Sequence, residues 1–215
     1  MTSLQLAIDT LTPSEAVALV EKVHPYIDLI EAGTPFIKRF GLDALKLFRQ
    51  VAPGKLIVAD MKAMDAGAYE AAIAFEAGAD IMTVLGCAND ETILGALQEA
   101  NKRNRLIAVD LIAVPNKLRR AQQLEHFGVH YIGIHTGMDQ QVLGATPLFD
   151  LKQIRFAVNT PLVVAGGINI NSIGAIAALA PAVVVVGSHI TSALDPVAVS
   201  SALHDVLVQQ GVAAH

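Results

Sequence analysis

The chain is poor in cysteine, aromatic rings and charge: one Cys, no Trp, 5 % aromatic and 16 % charged residues among 215. A lone cysteine, Cys87, excludes an intrachain disulfide and fits a reducing compartment. No basic neighbour is evident to activate its thiol, so Cys87 is expected to be a small packing residue. There are 15 Lys and Arg against 20 Asp and Glu, giving a formal net charge of −5 and no basic block. Phosphate-backbone binding needs clustered Lys and Arg, so nucleic acid is not an expected partner. The N-terminus, Met1 to Thr10, lacks a positive segment followed by an apolar one, the pattern of a secretory leader. The longest apolar stretch, 173–187, is broken by Pro181 and is too short for a comfortable membrane span. The expectation is a soluble, cytoplasmic protein with no membrane partner.

What the chain has is apolar residues, 53 % of the total. Eight short runs read as strands: Leu4–Asp9, Ile27–Glu31, Leu56–Asp60, Ile81–Leu85, Leu106–Asp110, Tyr131–His135, Leu162–Ala165 and Val183–Val186. Most are unbroken Val, Ile and Leu rather than alternating patterns, which marks strands covered on both faces, as in parallel sheets. Helical patterns lie between them. Thr12-Pro13-Ser14-Glu15 has the form of a capping box with proline at the first helical position. Asp195-Pro196 opens the last helix in the same manner, and the Ala-rich segments Ala66–Ala77 and Glu91–Asn101 have strong helix propensity. The β-α unit repeats eight times with no linker between repeats. The reading is a single (β/α)₈ TIM-barrel domain over residues 1–215, with an open doubly wound sheet as the alternative.

In parallel α/β folds, ligands sit at the carboxyl ends of the strands. Here those ends carry Asp9, Glu31, Asp60, Asp110 and His135, then Gly166-Gly167 and Gly187-Ser188. Any one of them could simply begin a turn. Together, the carboxylates would converge on one mouth, where their repulsion needs a cation or a lysine to offset it. The third strand supplies the lysine in Asp60-Met61-Lys62-Ala63-Met64-Asp65. Side chains two apart on a strand share a face, so Asp60 and Lys62 should point into the same mouth, as catalytic groups or as a structural ion pair. Asp65 falls past the strand, as a site residue or as an N-cap for the next helix. Gly166, Gly167, Gly187 and Ser188 sit where barrels commonly bind phosphate through backbone N–H groups and a short helix; tight turns also need glycine. His135 closes an apolar strand opposite the acids and is the candidate catalytic histidine. The other histidines, His215 among them, have no comparable placement.

These residues resemble a known family. Leu4–Asp9, Glu31-Ala32-Gly33-Thr34-Pro35-Phe36-Ile37-Lys38, the Asp60–Asp65 run followed by Ala66-Gly67, His135-Thr136-Gly137 and Val164-Ala165-Gly166-Gly167-Ile168 are similar to the 3-hexulose-6-phosphate synthases of the orotidine-5′-phosphate decarboxylase superfamily. The resemblance implies an aldol reaction with Mg²⁺, in which ribulose 5-phosphate and formaldehyde give hex-3-ulose 6-phosphate. It implies that Glu31 and Asp60 hold the metal, Lys62 stabilises an enediolate, Asp9 contacts substrate and His135 transfers a proton. It further implies a homodimer in which Asp65 reaches the neighbouring subunit's site. This chemistry fits the residue types: magnesium takes carboxylate oxygens and keeps open positions for substrate, and a histidine titrates near neutral pH.

The related 3-keto-L-gulonate-6-phosphate decarboxylases share the scaffold and are the alternative reading. They carry arginines where this chain has Met138 and Ser188. Methionine leaves the space apolar, which suits a small dry electrophile. Ser188 leaves the phosphate grip to backbone N–H groups and its own hydroxyl. A third reading is a barrel that binds a phosphorylated sugar without turning it over, which the intact polar set argues against.

Overall fold

The computed structural model describes residues 2–213, so Met1, at the head of the segment read for a leader, and the sequence's last histidine, His215, lie outside the described residues. Eight parallel strands close on themselves in sequence order, with the first paired to the last. They are β1 (Ser3–Ile8), β2 (Leu29–Ala32), β3 (Leu56–Ala63), β4 (Ile81–Leu85), β5 (Leu106–Asp110), β6 (Tyr131–His135), β7 (Leu162–Ala165) and β8 (Val183–Val186). The last five have the bounds read from sequence. Helices fill the connections and cover the outside, so the fold is the (β/α)₈ barrel rather than an open sheet.

Local signals explain the helices. Thr12 caps Pro13–Val23 with both hydrogen bonds of the capping box, and Ala16, Leu19, Val20 and Val23 form its buried stripe at helical spacing. Asp195 Oδ1 accepts the Ala198 N–H at 3.0 Å at the start of Pro196–Ala213. The Ala-rich segment after β3 becomes Gly67–Glu76. Its N-cap is Ala66, with no side-chain cap, so Asp65 is not the capping residue. Outward-facing strand residues such as Leu6, Ile30 and Val164 pack with the helices in one core. Ala7, Leu29, Val58, Ile81, Ala108, Val183 and Val185 form a second core inside the barrel. Burial on both faces is why the strands read as continuous apolar runs.

The ends of β1 and β2 fall one or two residues from the bounds read in sequence, and two readings change further. β3 runs three residues past Asp60, because the β3–β4 register shifts between Ala59 and Ala63 and lets the strand resume after a bulge. Cys87 is exposed, not a packing residue, because it stands in the turn after β4 rather than on the strand. No helix among the described residues is long and apolar enough to cross a membrane.

Candidate active site

The strand registers stack the inward side chains in layers drawn from alternate strands, the usual barrel arrangement. The floor is Leu29, Ile81, Tyr131 and Val183. Gln5, Val58, Ala108 and Val163 lie above it, then Glu31, Thr83, Gly133 and Val185. The top layer is Ala7, Asp60, Asp110 and Ala165, with His135 and the ends of β1, β7 and β8 at the rim. All of these line one cavity of about 390 Å³ that opens at the carboxyl ends of the strands.

Polar side chains gather on β2–β5. Lys62 Nζ pairs with Asp60 Oδ2 and lies 3.2 Å from Thr34 Oγ1 and 3.9 Å from Asp110 Oδ2. Asp60 is further held by Thr34 and Thr83, whose hydroxyls donate to it at 2.7 Å. Lys62 is reached by the bulge, not by regular alternation. Its φ is +50°, a left-handed conformation that costs a lysine on the order of 1–3 kcal/mol. Its N–H has left the ladder and donates instead to Thr83 Oγ1 at 2.9 Å, so no donor is orphaned. Thr83 thus fixes both members of the pair.

Asp110 Oδ2 also lies 2.8 Å from His135 Nδ1. A carboxylate there favours the tautomer with hydrogen on Nδ1 and leaves the Nε2 lone pair for the cavity that His135 lines. Asp60, Lys62, Asp110 and His135 therefore form one connected row of alternating charge capacity along the rim.

Burial and neighbours set the electrostatics. Burial drives the Glu31 carboxyl up to about 8, with Asp60 adding to the shift and the Gln5 amide, which donates to Glu31 Oε2, opposing it. Burial pushes Asp60 the same way, but Lys62 and the hydroxyls of Thr83 and Thr34 outweigh it and hold Asp60 below its ordinary value. Burial disfavours the Lys62 ammonium, and Asp60, then Asp110 and Glu31, more than restore it, leaving its pKa raised. Asp9 is raised, by burial first and then by Asp60. One ammonium thus faces an excess of carboxylate. Glu31 and Asp60 on adjacent strands are hard oxygen donors, and Mg²⁺ is commonly held by one or two carboxylates, with water and substrate completing its shell. The pair fits such a cation. Among the described residues no group of three or more His, Cys, Asp or Glu forms an all-protein cage.

Most residues read from sequence meet here. Asp9, Glu31, Asp60, Lys62, His135, Gly166, Gly167, Gly187 and Ser188 all line the cavity. Gly166 and Gly167 have φ of +109° and +68°, and a Cβ on Gly166 would lie 2.3 Å from the Thr136 carbonyl oxygen, so this turn requires glycine. Ser188 opens a short helix, Ser188–Thr191. Asp65 is exposed and does not line the cavity of its own chain. Met138 lines the rim of the cavity and is 67 % exposed. Sequence reading missed Gln5, Thr34 and Thr83, and gave Asp110 no role. Gln5 does leave a signal, as the polar residue two before Ala7 and four before Asp9 on one strand face.

The sequence model of the orotidine 5′-phosphate decarboxylase / HUMPS family matches residues 2–203. The chain belongs to this family. Within it, a protein of Staphylococcus saprophyticus named 3-hexulose-6-phosphate synthase 3 is 42 % identical over 205 residues, 95 % of this chain and 98 % of that one. The crystal structure of 3-hexulose-6-phosphate synthase from Salmonella typhimurium superposes with a TM-score of 0.95 at 39 % identity, covering 97 % of this chain and all of that one. The crystal structure of 3-keto-L-gulonate-6-phosphate decarboxylase from Vibrio cholerae is more distant in sequence: TM-score 0.85 at 26 % identity, covering 97 % of this chain and 98 % of that one.

Proposed function

We propose that this family member is a 3-hexulose-6-phosphate synthase, joining formaldehyde to C1 of ribulose 5-phosphate to give hex-3-ulose 6-phosphate. The observation that carries the reading is the row Asp60–Lys62–Asp110–His135 beside Glu31, a site that can take a proton from carbon and hold the negative charge left behind. The higher identity to synthases than to the decarboxylase supports it.

In this reading the phosphate rests on backbone N–H groups of the Gly166-Gly167 turn and on Ser188, and Asp9 accepts from a sugar hydroxyl. His135 Nε2 removes a C1 proton while Asp110 holds Nδ1–H and orients the ring. Lys62 faces the charge that develops on the enediolate oxygens. Mg²⁺ held by Glu31 and Asp60 would, when bound, polarise the sugar carbonyl and offset the same charge. Asp65 is exposed and does not line its own cavity, and Met64, Tyr69 and Ile73 beside it are exposed apolar residues. Both features support a homodimer in which each copy lends Asp65 to the other. A cytoplasmic location accompanies the reading.

Comparing kcat/KM for ribulose 5-phosphate plus formaldehyde with that for 3-keto-L-gulonate 6-phosphate, both with Mg²⁺, tests the reaction. Preference for the gulonate phosphate would overturn it. Mixing inactive Asp65→Asn with inactive Lys62→Ala protein tests the shared site. Hybrid dimers have one intact site, so some activity should return, and none after verified subunit exchange would count against sharing.

A further inference from the structure

The barrel interior is divided lengthwise. On β2–β5 every inward side chain of the cavity layers is buried: Leu29 and Glu31, Val58 and Asp60, Ile81 and Thr83, Ala108 and Asp110. On β6 and β7 the inward positions Tyr131, Gly133, His135, Val163 and Ala165 are only partly buried, while the outward ones between them are buried. These five are more open than the inward residues of β2–β5, which keep 3–9 % of their surface. Inward accessibility inside a closed barrel means that open space lies against those strands. The cavity reaches the floor here, where Tyr131 lines it together with Leu29, Ile81 and Val183. Its upper walls are small or apolar, since Gly133 carries no side chain, Ala165 one methyl and Val163 closes it below, with the Tyr131 phenol at the floor beneath them. Ala165 is the ladder partner of His135, so the chamber begins directly beneath the histidine.

We infer that this chamber binds the one-carbon acceptor as the free, unhydrated aldehyde. The inference rests on the proposed synthase reaction and locates its second substrate. The charged sugar oxygens belong with the ammonium and carboxylates of β2–β5. An uncharged carbonyl belongs on the other side. Formaldehyde in water is mostly its gem-diol, which has no electrophilic carbon. Walls of Gly133, Ala165 and Val163 offer no partners for the two hydroxyls of the diol and so favour the carbonyl form. Rim residue Met138 is too exposed to do this. In the step itself, the electron pair on C1 forms the new carbon–carbon bond, the carbonyl π pair moves onto the aldehyde oxygen, and that oxygen takes up the proton that His135 removed from C1. Atoms and charge balance without another reactant.

Val163 is the residue to change, because it lies a layer below the reacting groups. Filling the chamber with Val163→Phe should raise KM for formaldehyde tenfold or more. Exchange of the C1 proton of ribulose 5-phosphate into deuterated water, which needs no acceptor, should fall by less than about threefold, the contrast with a lost general base being one of orders of magnitude. Val163→Ala should shift kcat/KM towards acetaldehyde relative to formaldehyde. If Val163→Phe does not fold, as judged by circular dichroism, Val163→Leu carries the same test with a smaller rise in KM. Native addition of formaldehyde with an unchanged formaldehyde KM in the folded filling variant would overturn the chamber alone. Native protein that exchanges C1 but adds no formaldehyde would overturn the reaction, and the chamber with it.

Discussion

The two ends of the barrel use polar groups in opposite ways. At the floor each is matched. Asp28 Oδ2 accepts the first free N–H of β1, from Leu4, at 2.9 Å, and Asp80 Oδ2 accepts that of β3, from Ile57, at 2.9 Å. His130 Nδ1 accepts that of β5, from Ile107, at 3.2 Å. Each capping residue immediately precedes the next strand. Ala182, the counterpart before β8, has no side chain to do the same. Asp80 is also clasped by Arg49 and Arg105. At the mouth, Glu31, Asp60, Asp110 and Asp9 share one ammonium, and Glu31 is driven far above its ordinary range. The floor is arranged for stability, and the mouth is left short of positive charge for a ligand to supply.

Removing the proposed metal should have the largest effect. Exhaustive chelation, or Glu31→Gln, should lower kcat/KM by about a thousandfold or more, several kcal/mol of transition-state stabilisation; full activity of chelated Glu31→Gln would refute the metal site. The same substitution should stabilise metal-free protein by about 1–3 kcal/mol near neutral pH, because folding no longer has to keep protonated a buried carboxyl that ionises freely in the unfolded chain. The sign follows from the raised folded value. Stability linked to Glu31 is complete below its ordinary value of 4.5 and is lost as pH rises through about 8. Urea melts of metal-free wild type should therefore weaken over that range, and those of Glu31→Gln should weaken less. Parallel melts would mean that Glu31 is not so perturbed.

At the floor the sign reverses. Asp80→Ala removes the carboxylate that Arg49, Arg105 and the Ile57 N–H share, leaving Arg49 only its carbonyl acceptors. Both arginines are more than a third exposed, which limits the loss to about 2–4 kcal/mol, or a drop in Tm of roughly 5–15 °C. kcat of the folded protein should stay within about twofold; a larger fall in kcat than in stability would break the division of labour between the ends.

His135→Asn should slow C1 proton exchange about a hundredfold, near 2.7 kcal/mol, with Tm nearly unchanged. Unchanged exchange would remove the histidine from the mechanism. The smallest effect belongs to His130. Burial lowers its pKa below the ordinary 6.5, and its Nδ1 must be unprotonated to accept from Ile107. Its contribution is complete above 6.5 and is lost as pH falls through the depressed value. His130→Ala should cost about 1 kcal/mol at pH 8 and flatten the loss of stability on the acid side. Urea titrations of both proteins at pH 8 and pH 5 would detect an unchanged acid slope.

The strands were legible because burial on both faces writes itself into composition, and β4–β8 end where their apolar runs end. β3 was not, because its continuation depends on Thr83, a residue of another strand that receives the displaced Lys62 N–H. Strand-end logic located Glu31, Asp60 and His135, since a polar residue closing an apolar run is visible locally. It could not assign Asp110, whose importance lies in touching both Lys62 and His135, nor Gln5, whose partner lies on β2. The chamber left no mark either. Gly133 and Ala165 look like ordinary strand residues until the closed barrel sets both against the cavity.

The bulge at Lys62 has a consequence on the timescale of descent. The conformational cost at φ +50° belongs to the position, and almost any residue except glycine would bear it. Replacing the lysine therefore does not relax the strand, because Ala63 still returns to its place beside Val84. A descendant that abandoned this chemistry would inherit a strand already bent towards the mouth. Whatever side chain mutation next supplied at that position would be aimed at the cavity from the start, and a new reaction could be tried without rebuilding the barrel around it.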